Sequence, residues 1–423
     1  MENKFLTFPE HFYWGAATSA HQVEGDTNND WMVWEKSDER LLYLKEEGRD
    51  TAGFISGKAA DQYHRYQEDF DIAHHLGHTM HRLSVEWSRI EPREGEFDKS
   101  GIQHYLEVVK YLRQQGMEPM VTLWHFTTPQ WLSVKGGVLS PQFPELYKRF
   151  ISQVVDNLKG EVKYWVTFNE ATTVYAGLAY RQGVWPPQHK SVQEWRQYRK
   201  SIRATHALAY RTIKDIYRSK SDSAAMQQDL DTSHNVGVVF VGAVENVSYI
   251  PMQGWAKLLG IGRFLNWLYG HWLWRSTLPY QDFLGLNYYT LKRLPYFGSV
   301  LPTQDKATEM DWEIYPEGLY HCLKDLKKFN KPIFITENGI ADATDQKRER
   351  FIRDHLRWLW QAREEGVDVR GYLYWSLIDN FEWARGFGPR FGLVAIDYTT
   401  QVRTIRTSAW AYAKIIKEKG LVV

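Results

Sequence analysis

Eight short apolar runs, rich in β-branched and aromatic residues, recur along the chain with amphipathic stretches between them. They cover residues 12–17, 79–87, 119–125, 164–169, 236–247, 282–289, 332–336 and 369–377. Apolar residues return at helical spacing over 70–76, 104–114, 143–158 and 348–363, ahead of the second, third, fourth and eighth runs. A strand followed by a helix crosses over before the next strand is laid down, and the crossover makes neighbouring strands parallel. Eight such units predict an α/β chain folded as one (β/α)8 TIM barrel over 1–423, its long βα loops forming a pocket. A doubly wound open sheet is the rival, but no Gly-rich phosphate turn follows the first run.

A barrel presents its chemistry at the C-terminal ends of the strands. The fourth run, Tyr164-Trp-Val-Thr-Phe-Asn169, passes directly into Glu170, and the seventh passes from Thr336 into Glu337 and Asn338. One Glu after an apolar strand is ordinarily the first solvated loop residue. Two of them, three strands apart around one mouth and each beside an Asn, converge on the axis. Paired carboxylates across a pocket are what cleavage of a glycosidic bond requires. The remaining strand ends offer Gln22, His125, Asn287-Tyr288-Tyr289, Trp375 and Asn380-Phe-Glu382-Trp383. Singly each reads as core packing; jointly they supply hydroxyl recognition and stacking faces.

Composition narrows the class of ligand. Lys and Arg number 52 against 51 Asp and Glu, so a net charge of +1 leaves no electrostatic footprint for nucleic acid or a membrane surface. Trp, Tyr and Phe make up 15 % of the chain, which suits either a large aromatic core or stacking platforms for sugars. The single cysteine, Cys322, excludes an intrachain disulfide and a Cys-based metal cluster. Residues 1–11 lack the charge and apolar core of a signal peptide, and no apolar run spans a membrane, so a cytoplasmic protein is expected. His74, His75, His78 and His81 lack the carboxylate of a His-Glu-x-x-His pattern. They are read as solvated helix residues, with His81 in the next strand. No metal and no cofactor is expected.

Eight motifs in order resemble the family 1 glycoside hydrolases, β-glucosidase-like retaining enzymes. They are Phe8-Pro-Glu-His-Phe-Tyr-Trp-Gly-Ala-Ala-Thr-Ser-Ala-His-Gln-Val-Glu-Gly25, Arg82-Leu-Ser-Val-Glu-Trp-Ser-Arg-Ile90, Trp124-His-Phe-Thr-Thr-Pro129 and Thr167-Phe-Asn-Glu170 in the first half. Asp282-Phe-Leu-Gly-Leu-Asn-Tyr-Tyr289, Ile335-Thr-Glu-Asn-Gly339, Trp375-Ser-Leu-Ile-Asp-Asn-Phe-Glu-Trp383 and Arg390-Phe-Gly-Leu-Val-Ala-Ile-Asp397 follow. The resemblance implies Glu170 as general acid/base and Glu337 as nucleophile, with Arg82 and Tyr289 holding the nucleophile ionised and aligned. It implies Gln22, His125, Asn169, Glu382 and Trp383 as sugar contacts and Trp375 as a stacking platform. Phospho-sugar-cleaving relatives carry Ser and Lys/Tyr in the loop after strand eight, whereas Glu382 stands here and would repel a phosphate. Phe126 replaces a Trp common in the family.

The resemblance therefore implies an exo-acting retaining β-glycosidase acting on β-linked glucosides or short oligosaccharides, with β-D-glucosyl, fucosyl and galactosyl residues all accepted. A carbohydrate-binding barrel without turnover has no use for a carboxylate pair. A metal-dependent hydrolase needs a His and Asp cluster that the strand ends do not offer.

One segment stands outside the family pattern. Over 261–275, Ile261, Phe264, Leu265, Leu268 and Trp272 follow the spacing of a core-facing helical stripe, with Arg263, Asn266 and Gly270 opposite. Trp267 and Trp274 fall beside the polar face. A helix packed on the barrel wall is expected, with the surplus aromatics leaving open a homo-oligomer contact or a site for a flat apolar ligand.

Overall fold

The computed structural model describes residues 4–219, 238–252, 257–293 and 308–423. Eight parallel strands close into a barrel: β1 (Tyr13–Ala17), β2 (Met80–Ser84), β3 (Glu118–Thr122), β4 (Tyr164–Asn169), β5 (Phe240–Asn246), β6 (Phe283–Asn287), β7 (Ile333–Asn338) and β8 (Val369–Trp375). Pairing of β1 with both β2 and β8 closes the ring. Every run expected as a strand contains one; the fourth keeps its expected bounds, Tyr164–Asn169, and the others differ at one or both ends. The second, third and eighth stop at Ser84, Thr122 and Trp375. The seventh runs two residues further, so Glu337 and Asn338 belong to the strand itself. Residues 236 and 237 of the expected fifth run lie outside the described residues.

The barrel interior explains part of the aromatic content. Tyr13, Tyr164, Phe283 and Phe334 meet across the axis, with ring centroids 5.4 Å apart for both Tyr164–Phe334 and Phe283–Phe334. Met80, Met120, Val166, Val244 and Leu373 pack with them into an apolar plug. Side chains alternate along a strand with a period of two. Two residues on from plug-forming Met80, Met120 and Phe334 stand Arg82, Thr122 and Thr336, all buried. The plug is thus the floor of a polar layer at the mouth.

Outer helices bury one face each. Phe143–Leu158 begins with Pro144 in its first turn and buries Phe143, Tyr147, Phe150, Ile151, Val154 and Leu158. The chain ends are tied together, since Phe5–Thr7 pairs antiparallel with Gly420–Val422. Two expectations fail here. His78 lies past the end of helix Gln62–His75, buried with its ring 5.8 Å from that of Tyr412, and desolvation drives its pKa to about 3. His81, as expected, is in β2; His74 and His75 are exposed.

The second failure is the 261–275 stripe. The segment is two short α-helices, Ile261–Leu265 and Trp272–Ser276, joined through a π-helical turn over Asn266–Gly270. A wider turn adds a residue per repeat and rotates the buried face relative to a continuous α-helix. Phe264 is consequently 55 % exposed, while Asn266 and Trp274, expected on or beside the polar face, are buried. Asn266 Nδ2 donates to the Ser248 carbonyl at 3.2 Å, and Trp274 Nε1 to the Ala243 carbonyl at 2.9 Å. Ile261, Leu265, Leu268 and Trp272 are only partly buried. Trp267 lies over Phe264 and under the Arg275 guanidinium, 3.7 Å from its ring centroid.

Candidate active site

Both carboxylates sit where a barrel strand loses register with its neighbour. The β4–β5 pairing shifts between Val166 and Asn169, and β7 shifts against β6 and again against β8 around Glu337. Such irregularities re-aim side chains at strand ends. Glu170 follows the first shift in the left-handed conformation (φ 45°) and leads into a π-helix, Ala171–Gln182. Its Oε1 accepts from Asn287 Nδ2 at 2.7 Å and from Asn246 Nδ2 at 3.1 Å. Burial and the negative charge of Glu337 push Glu170 up to about 8, against the pull of the two amides. It therefore holds a proton at neutral pH.

Glu337 has the opposite surroundings. Arg82 Nη1 donates to its Oε1 at 2.5 Å and the Tyr289 hydroxyl to its Oε2 at 2.6 Å. A cation and a hydroxyl thus donate one to each oxygen of this side chain. Burial, joined by the charge of Glu337, raises Tyr289 well above its ordinary value, so it stays a donor. Arg82 is itself fixed by Thr122 Oγ1 at 3.0 Å and by Asn169 Oδ1 at 2.6 Å.

That last bond settles a tautomer. A guanidinium only donates, so the oxygen of the Asn169 amide must face Arg82 and its Nδ2 must face His125 Nε2, at 3.1 Å. Nε2 then accepts and Nδ1 carries the hydrogen. His125 Nδ1 has no hydrogen-bond partner among the described residues, and burial with the nearby Arg82 charge holds the ring neutral.

A pocket of about 450 Å³ collects these groups, with Gln22, Asn169, Trp375, Glu382 and Trp383 also on its wall. Gln22 is fully buried; its Nε2 donates to Asn380 Oδ1 and to the Phe381 carbonyl, each at 2.9 Å, and to Glu382 Oε2 at 3.3 Å. Half-buried Glu382 is pushed up to about 8 by burial and by the Glu337 charge. The Trp383 and His125 rings lie nearly parallel, 6.0 Å apart. Phe126 and Trp383, like Glu170, adopt positive φ, at 72° and 49°. Such non-glycine residues cost about 1–3 kcal/mol each and gather where a site over-determines them. Gly339 permits the tight β7–β8 approach here, as a Cβ on it would sit 1.8 Å from the Trp375 carbonyl oxygen.

All ten residues singled out from the sequence line the pocket or bind a residue that does. Asn246, Glu245 and the role of Asn287 toward Glu170 were not anticipated. Glu245 takes the backbone N–H and hydroxyl groups of Thr172 and Thr173, fastening the turn after Glu170 onto β5. A signal for Asn246 exists: β4, β5, β6 and β7 all end in Asn.

The chain matches the Glycosyl hydrolase family 1 over residues 5–241 and 279–421. It is 29 % identical to the β-glucosidase A of Thermotoga maritima, over 98 % of each sequence. It is 30 % identical to a 6-phospho-β-galactosidase of Clostridium acetobutylicum, again over 98 % of each. The solved β-glycosidase from Pyrococcus horikoshii superposes with a TM-score of 0.83 at 33 % identity, covering 99 % of this chain and 96 % of that one. Because the match runs through both carboxylate-bearing strand ends, the chain belongs to glycosyl hydrolase family 1 and is a retaining β-glycosidase.

Proposed function

We propose that the enzyme is exo-acting and removes terminal non-reducing β-D-glucosyl residues, and fucosyl and galactosyl residues as well, from β-linked glucosides or short oligosaccharides. The reaction runs by double displacement. A Glu337 oxygen attacks the anomeric carbon while Glu170 delivers its proton to the departing glycosidic oxygen. The glycosyl ester cancels the charge of Glu337, which lowers the proton affinity of Glu170. Glu170 then takes a proton from water as that water attacks the same carbon, and the β-configured sugar leaves with Glu337 restored. Arg82 and Tyr289 hold the nucleophile; His125 and Asn169 bind sugar hydroxyls, and Trp375 and Trp383 supply apolar faces.

The observation that carries the glycone assignment is the Gln22–Glu382 pair at 3.3 Å on the pocket wall. An amide and a carboxyl side by side suit the hydroxyls at C3, C4 and C6, and a carboxyl there supplies no positive charge for a sugar phosphate. Arg385 also lines the pocket but is exposed to solvent. The single, buried Cys322 supports a reduced, cytoplasmic setting. Rates for Glu382→Ala on aryl β-glucosides, β-galactosides and β-fucosides test the assignment. The loss should be greater on the first two, since fucose lacks a C6 hydroxyl; equal losses on all three would remove Glu382 from C6, and a gain on 6-phosphoglucosides alone would reverse the substrate class.

A further inference from the structure

Beside the catalytic pocket lies a larger cavity of about 790 Å³, and the two share Val174, Asn246, Tyr289 and Trp312 in their walls. Its charge is one-sided. Arg181, Arg199 and Lys292 line it, and no Asp or Glu does among the described residues. Arg199 is only 7 % exposed, yet its Nε and Nη2 have no hydrogen-bond partner among the described residues. Its guanidinium is clamped between the rings of Trp195 and Trp272, at 4.7 and 4.1 Å from their centroids. The carboxylate of Glu245, whose charge reaches it, is already occupied by Thr172 and Thr173.

This arrangement is costly without a ligand. Two indole faces compensate a buried cation only in part, and each unmet N–H adds a desolvation penalty. Nε–H and Nη2–H lie on one edge of the guanidinium, with the spacing of the two oxygens of a carboxylate. Burial lowers Arg199 to about 10, which leaves it a cation at neutral pH. Trp272 and much of the cavity wall, including Asn266 and Tyr269, belong to the 242–278 stretch that the family match leaves out.

We propose that this cavity is an aglycone site for glycosides whose aglycone carries a carboxylate, the carboxylate pairing with Arg199. The neighbouring Lys292 and Arg181 add favourable potential, and Tyr289 and Trp312 carry the aglycone from the catalytic pocket into the cavity. The inference rests on the β-glycosidase activity and not on which glycone is preferred.

The test uses whichever of glucose, galactose or fucose is released fastest from its 4-nitrophenyl β-glycoside. On that glycone, kcat/KM is measured for 4-carboxyphenyl and 4′-carboxybiphenyl aglycones and for their methyl esters. Comparing the acid-to-ester ratio between wild type and Arg199→Met cancels the intrinsic reactivity of each leaving group. The ratio should fall at least tenfold in Arg199→Met for one of the two lengths, recover in part in Arg199→Lys, and decline with added salt in wild type. A second measurement needs no variant: the non-hydrolysed 4-carboxyphenyl β-thioglycoside or its biphenyl counterpart should bind wild type at least tenfold more tightly than its ester by calorimetry. Ratios that agree within twofold between wild type and Arg199→Met at both lengths, or acids that bind no better than esters, overturn the assignment. Failure of the glycone reading alters only which sugar is used.

Discussion

The catalytic pocket and the cavity beside it share a wall but solve their electrostatics in opposite ways. In the pocket, each carboxylate meets groups placed for it: two amides on Glu170, a guanidinium and a phenol on Glu337. Even His125, whose Nδ1 has no partner among the described residues, has its tautomer set by a chain of bonds from Arg82 through Asn169. Across the wall, Arg199 sits against two ring faces, and its Nε and Nη2 have no hydrogen-bond partner among the described residues. Chemistry needs charges that are preorganised before substrate arrives. Recognition of a leaving group tolerates a partner that arrives with the ligand. The family match follows the same division, covering both carboxylate-bearing strand ends and omitting 242–278.

The largest expected effect tests the pocket side. Glu337→Gly should lower kcat by about 10⁴-fold or more, with azide restoring turnover to an α-glycosyl azide. Glu170→Ala should spare activated aryl glycosides relative to poor leaving groups and give the β-azide. Two variants with the same product and the same leaving-group dependence would interchange or abolish the assigned roles.

Next come the two buried arginines. Arg82→Met strands the Glu337 carboxylate and should cost about 3–5 kcal/mol in denaturant unfolding. Arg199→Met leaves Glu245, the acid whose charge reaches it, still hydrogen-bonded to Thr172 and Thr173, and should cost no more than about 1 kcal/mol. Similar penalties would mean that Arg199 has a structural partner after all and that the contrast fails.

Within the aromatic segment, Trp274→Ala should cost about 3–5 kcal/mol, because it empties a fully buried site and orphans the Ala243 carbonyl. Trp267→Ala, 36 % exposed, should cost less than about 1 kcal/mol. Reversal of that order would restore the continuous helical stripe.

The smallest effect is a pH slope. Glu170 and Glu382, each near 8 when folded against an ordinary 4.5, bind protons more tightly folded than unfolded. Their contribution to stability is complete below about 4.5 and is lost as pH rises through 8. Melting temperature without ligand should decline over that window, and Glu170→Gln should remove part of the slope, a shift of roughly a few °C. Activity should fall along the same limb, as an apparent value of the coupled pair, because Glu170 must begin protonated.

Legibility follows the same divide. Strand runs, the helix over 143–158, and a Glu at the ends of β4 and β7 are local patterns, so the barrel and its carboxylates could be read directly. Asn246 went unread although it ends its strand as Asn169, Asn287 and Asn338 do, because one amide before an apolar residue carries no signal until the neighbouring strand is known. The 261–275 stripe misled because periodicity assumes one helical pitch, and the π-turn over Asn266–Gly270 changes the pitch midway.

Taken alone, the order of residues determined which elements form, their parallel succession around a barrel, and which strand ends carry acid, amide and aromatic groups. These depend on periodicity and chain connectivity, both written along one dimension. Only the tertiary structure decided that Glu170 holds its proton while Glu337 faces Arg82, that Asn169 meets His125 at Nε2, and that Arg199 is buried with Nε and Nη2 unbonded among the described residues. Each of those states is set by distances between groups remote in sequence and by the water excluded around them, and electrostatic energy in a low-dielectric interior depends on both.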